Sequence, residues 1–79
     1  MENLEKYNQI FADTFNVLED VLNDDFKKEN VDGWDSVRQL SLTTAIEDEF
    51  DIMLDAEDMV DFTSYAKGKE ILEKYDVVL

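Results

Sequence analysis

Asp32-Gly33-Trp34-Asp35-Ser36-Val37-Arg38-Gln39-Leu40-Ser41-Leu42-Thr43-Thr44-Ala45-Ile46-Glu47-Asp48-Glu49-Phe50 is the stretch from which the rest of the chain can be read. Gly33, one of only two glycines, stands just ahead of a Trp-Asp-Ser triplet, and after that triplet the sequence turns strongly helical. The spacing predicts a helix from Ser36 to about Phe50. Ser36 then falls where a loop becomes a helix, with the Asp35 carboxylate beside it. Free backbone N–H groups and the positive end of the dipole favour an anion at such a position, and a phosphate ester on Ser36 would be well accommodated there.

Within this helix the apolar positions form two groups. Leu42, Ile46 and Phe50, flanked by Ala45, make a stripe that faces a core. Val37, Leu40 and Thr44 lie on another face, near Ser36 and beside Glu47 and Asp48. That second face is either covered by the first helix or the long loop, or left open as a docking surface for another protein. Ser36 likewise has a purely structural reading. With Gln39 three residues on, it forms the sequence pattern of a capping box, worth on the order of 1 kcal/mol.

Upstream, Leu4, Tyr7, Phe11, Phe15, Leu18 and Leu22 recur at steps of three and four, widened by Ile10, Val17 and Val21. This predicts one amphipathic helix from residue 2 to about residue 22, ended by Asn23-Asp24-Asp25. A loop with Phe26, Lys27 and Lys28 leads to Gly33. Downstream, residues 51–54 form a short apolar connection. Asp55 is expected to cap a brief helix, Ala56 to about Asp61, with Met59 and Val60 inward. Thr63 or Ser64 caps a last helix to about Tyr75, with Tyr65, Ile71, Leu72 and Tyr75 buried; Gly68 weakens it slightly. The tail Val77-Val78-Leu79 packs or frays. With no strand alternation or internal repeat, residues 1–79 read as a single all-α domain of three principal helices and one short one.

Composition narrows the chemistry. The 79 residues include no cysteine and no histidine, which excludes disulfides, thiolate nucleophiles, the usual zinc sites and a Ser-His-Asp triad. The polar, acidic start lacks the pattern of a signal peptide, and no segment is apolar enough to insert into a membrane, so a reducing cytoplasm is the expected compartment. Twenty-one acids against seven bases give a net charge of −14. Residues 32–61 alone carry ten acids and one base, Arg38. Nucleic acid is the wrong partner for such a charge; the acids serve either as a solubilising surface or as a field that steers basic partners. A calcium loop centred on Gly33 fails, because Lys28 and Gln39 fall where carboxylates are required. Glu47, Asp48 and Glu49 fan out around their helix, so no acid–base pair is formed and no enzyme activity is expected.

Gly33-Trp34-Asp35-Ser36-Val37, followed by a helix that closes Ala45-Ile46-Glu47-Asp48-Glu49-Phe50, resembles the acyl carrier proteins. In that family an Asp-Ser-Leu motif opens the second helix, and the serine carries 4′-phosphopantetheine. The resemblance covers about residues 30–75. It includes the acidic turn from Asp55 to Asp61 and the Phe62-Thr63-Ser64 lead into the last helix; the first helix matches only in type. It implies that Ser36 holds a thiol-ended arm, donated from coenzyme A, on which acyl groups ride as thioesters. It implies that Asp35 helps a phosphopantetheinyl transferase to recognise and activate the serine. Val37, Arg38, Leu40, Glu47 and Asp48 fall where carriers meet acyl-transferring or condensing enzymes with basic docking surfaces, and a growing acyl chain would tuck between helices near Leu42, Ile46, Phe50 and Met59. A monomer is expected.

Several positions depart from the pattern. Val37 replaces leucine, and Arg38 and Ser41 replace positions that are commonly acidic in fatty-acid carriers. Arg38 is also a cation in a first helical turn, the unfavourable sign for the dipole by about 0.3–1 kcal/mol. Trp34 differs from the Gly-Gly-x-Ser pattern of peptidyl carriers. The departures suggest a specialised carrier in a lipid, polyketide or related pathway. The competing reading is an unmodified acidic helical module that binds a basic protein.

Overall fold

A computed structural model describes residues 2–79. Four α-helices follow one another: α1 (Asn3–Phe15), α2 (Ser36–Phe50), α3 (Ala56–Asp61) and α4 (Tyr65–Lys74), with a single 3₁₀ turn, Glu19–Val21, after α1. Three principal helices and a short one make an all-α bundle, with no β-strand among the described residues. The bounds of α2, α3 and α4 lie where hydrophobic spacing and capping residues predict them.

The end of α1 does not. Asn16 adopts a left-handed conformation (φ 54°, ψ 52°), and the Val17 N–H turns back to the Ala12 carbonyl at 3.1 Å. Asparagine tolerates this conformation better than most residues, and the return bond gives the Val17 N–H a partner on the carbonyl that also accepts the Asn16 N–H. The helix therefore stops at Phe15 rather than near Leu22. Leu18, expected on the buried stripe, is 74% exposed, and Val21 is exposed as well. The same device closes α2: Asp51 is left-handed, and the Ile52 N–H bonds the Glu47 carbonyl.

The core is aromatic at its centre. The Phe11 ring lies 4.9–6.2 Å, centroid to centroid, from Tyr7, Phe15, Phe26, Trp34, Phe62 and Tyr65. These separations suit tilted and edge-on ring pairs, each worth about 0.5–1.5 kcal/mol beyond area burial. Leu42 and Ile46 reach this core from α2 as predicted, with Phe50 partly buried against it; Ile71 and Leu72 reach it from α4. Val77 in the tail is also buried, whereas Val78 is exposed.

Gly68 allows α4 to pack directly onto the Tyr7 and Phe62 side chains. A Cβ there would overlap the Tyr7 hydroxyl and stand 2.6 Å from the Phe62 ring. The Tyr7 hydroxyl donates to the Tyr65 carbonyl at 2.5 Å, and burial, with Tyr65 beside it, pushes its pKa far above the ordinary phenol value. It remains a donor at any ordinary pH.

On α3 the expected inward pair is half right. Met59 packs against the core, but Val60 is exposed and Asp58 is buried in its stead. The cause is polar. Asp58 accepts from the Lys74 ammonium at 2.6 Å and from the Tyr75 hydroxyl at 2.5 Å, and Tyr75 in turn accepts the Asp55 N–H at 3.0 Å. This clasp turns α3 so that its carboxylate meets α4 and its valine meets solvent.

Candidate functional site at the start of α2

The residues that lead into α2 are set from below. Phe26 is buried, and the loop carrying it is stitched to the start of α4: Lys28 N–H bonds the Thr63 carbonyl and Tyr65 N–H the Phe26 carbonyl, both at 2.9 Å. Gly33 has φ +85° with open space around it, so the backbone conformation alone requires glycine there. Trp34 then swings its indole into the core, only 5% exposed, with ring centroids 4.6 Å from Phe15 and 6.0 Å from Phe26. The next two residues, Asp35 and Ser36, are thereby held at the surface.

Asp35, rather than Ser36, caps the helix. Its carboxylate accepts the Arg38 N–H at 2.9 Å, and its carbonyl accepts the Gln39 N–H at 2.9 Å. Ser36 is the first helical residue and is exposed. The expected capping box does not form: Ser36 is already helical, and the Gln39 N–H that its hydroxyl would cap bonds the Asp35 carbonyl instead. This leaves the Ser36 hydroxyl out of the capping bond.

Gln39, the other half of that expected box, is engaged elsewhere. Its side-chain oxygen accepts the Trp34 indole N–H at 2.6 Å, and its side-chain nitrogen donates to the Met59 carbonyl at 2.8 Å and the Phe62 carbonyl at 2.6 Å. One side chain thus joins the loop before α2 to the end of α3. Beside it lies a cleft of about 330 Å³, lined by Ser36, Gln39, Leu40 and Thr43 of α2, Met59 and Val60 of α3, and Lys28 of the loop.

The second face of α2 is open. Val37 is 72% and Leu40 59% exposed, and Val60 of α3 is exposed too. Neither α1 nor the loop covers them. Asp48 is exposed, whereas Glu47 is half-buried and accepts the Leu54 N–H at 2.9 Å, so part of its charge is committed to holding the connection between α2 and α3. Arg38 has a structural occupation: its guanidinium donates to the Thr14 carbonyl in the last turn of α1. A cation near that helix C-terminus has the favourable sign, which offsets its unfavourable place in the first turn of α2.

The structure therefore gathers Asp35, Ser36, Val37 and Leu40 at one end of α2, with Glu47 and Asp48 further along the helix. Lys28, Trp34 and Gln39 belong to the same region, and sequence reasoning gave none of them this role. Among the described residues no group of carboxylates converges as a metal site, and no helix is long and apolar enough to cross a membrane.

The chain matches no family model and no curated protein.

Proposed function

We propose that this chain is an acyl carrier in which Ser36 is the attachment point of 4′-phosphopantetheine. The observation that carries this reading is the position of Ser36: exposed, first in α2, relieved of capping by Asp35, and at the rim of the α2–α3 cleft. The residues present fit the group. First-turn amides and the helix dipole favour a phosphodiester on Ser36, and Lys28 adds a positive charge on the same cleft. Leu40, Met59 and Val60 offer apolar surface along which an arm can lie. When bound, the arm supplies a thiol that the cysteine-free chain lacks and on which acyl groups are held as thioesters.

In this reading Asp35 serves the transferase by fixing the serine at the helix start. Val37, Leu40 and Val60 form an apolar centre, bordered by Asp48 and other acids of α2 and α3, for enzymes with basic docking surfaces. Arg38 at the edge of this face, where fatty-acid carriers are commonly acidic, points to dedicated partners in a specialised lipid, polyketide or related pathway. The carrier works as a monomer in the cytoplasm.

Intact mass after incubation with coenzyme A and a broad-specificity phosphopantetheinyl transferase tests the reading, with Ser36→Ala alongside. One added phosphopantetheine in the parent chain and none in the variant is the expected result. A folded parent chain that gains no mass refutes it. The exposed apolar centre among carboxylates then favours the second reading, an unmodified module that binds a basic protein.

A further inference from the structure

The carrier resemblance implies that an acyl chain tucks between helices near Leu42, Ile46, Phe50 and Met59, of which Met59 already lines the cleft. The packing of this chain opposes that route. Leu42, Ile46 and Phe62 are fully enclosed, and the aromatic cluster around Phe11 fills the space beneath them. Entry from the Ser36 end requires α3 to part from α2. Gln39 stands at that seam, with two donated bonds to the α3 side and one accepted from Trp34.

We propose that Gln39 is a latch that holds α3 against α2 and so confines cargo to the surface cleft, making the protein a carrier of short acyl groups; the inference rests on the carrier reading. The cleft of about 330 Å³ is a groove open to solvent and not an enclosed chamber. An arm together with a long aliphatic chain needs more room than this. Long cargo would remain in water or be forced to break the latch, and breaking it costs three part-buried hydrogen bonds, those of the Met59 and Phe62 carbonyls and of the Trp34 N–H. Gln39 is a positioning residue, acting through α3 on the room available to whatever Ser36 carries.

Two variants separate the bonds. Gln39→Met keeps the length of the side chain and removes all three bonds. Gln39→Glu keeps an acceptor for the Trp34 indole while setting a carboxylate against the Met59 and Phe62 carbonyls, so it opens the seam even if the methionine variant folds poorly. Hydrogen exchange on the unmodified chain reads the latch directly. The α3 amides, including Met59 N–H, which bonds the Asp55 carbonyl at 3.0 Å, should exchange roughly tenfold faster in the variants, with α4 unchanged. Nile red should bind the variants and leave the parent chain alone. Chains loaded from butyryl- and octanoyl-coenzyme A complete the test: the two parent forms should melt together, whereas the octanoyl form of a variant should melt higher than its butyryl form. Unchanged α3 exchange in both variants, or a parent chain stabilised by octanoyl as strongly as the variants, overturns the latch. A chain that takes no arm by mass overturns the carrier reading and the cargo limit with it, while exchange and Nile red still decide whether Gln39 holds the seam.

Discussion

Asp58 on α3 and Tyr75 just beyond α4 share a hydrogen bond of 2.5 Å, and the same carboxylate is the acceptor for Lys74 at 2.6 Å. The Lys74 bond, and after it the Tyr75 bond, hold the Asp58 carboxyl below its ordinary pKa; Tyr75 and Lys74 are each raised, chiefly by their bond to Asp58. A carboxyl whose folded pKa is depressed adds stability that is present above its unfolded pKa of about 3.9 and is lost as pH falls through the folded value. The raised lysine and tyrosine add stability that is present below about pH 10 and is lost as pH rises through their folded values. Melting temperature should therefore hold across the neutral range and fall at both extremes. Asp58→Asn should lower it at pH 7 and flatten the acid limb; a variant whose acid limb parallels that of the parent chain would show that the clasp is not the source.

Gly68→Ala should destabilise the protein by about 1–3 kcal/mol, the usual cost of overpacking, although alanine is the better helix former by about 1 kcal/mol. The new methyl group meets Tyr7 and Phe62, both fully buried, and Tyr7 is further pinned by its bond to the Tyr65 carbonyl. Urea unfolding measures the sign: a gain in stability would mean that the two rings yield freely.

Removal of the α2 cap should separate two neighbouring residues. Asp35→Ala loses the bond to the Arg38 N–H and should cost about 0.5–2 kcal/mol, while Asp35→Asn should recover most of it. Ser36→Ala should change stability by less than about 0.5 kcal/mol, because the hydroxyl is exposed and caps nothing. Chemical denaturation of the three variants checks this order, and it also establishes Ser36→Ala as a folded control for any modification assay.

Charge placed on the open face should act on association alone. Val37→Asp and Leu40→Asp alter exposed side chains and should leave the free energy of urea unfolding within about 0.5 kcal/mol of the parent chain. On the proposed carrier reading, the same variants should lower kcat/KM through KM in transfer assays with a partner enzyme. An unfolding midpoint that collapses would mean that these residues pack in solution.

The bounds of α2 were legible because two local signals agree there, Gly33 before the start and a clear core stripe of Leu42, Ile46 and Phe50 within. The end of α1 was hidden by agreement of the opposite kind. Leu18 and Leu22 continue the apolar spacing past Asn16, and periodicity carries no mark of a single left-handed residue. The face of α3 was misread because six residues span under two turns, too few to fix a phase. Its phase is set by Lys74 and Tyr75, sixteen and seventeen residues after Asp58. At the site, Asp35 and Ser36 are both good caps one residue apart, and only the backbone conformation selects between them. The role of Gln39 depends on carbonyls twenty and twenty-three residues away, which no local pattern reports.

Trp34 is the only tryptophan in the chain. It stands two residues before Ser36, with its indole N–H on Gln39 and its ring against Phe15 and Phe26. Excited at a wavelength that indole absorbs and the three tyrosines do not, the protein therefore emits from one fluorophore, seated where the loop, α2 and the α2–α3 seam meet. Buried and hydrogen-bonded indole emits at shorter wavelength than indole in water, so any event that loosens this junction is written into the native spectrum without a label.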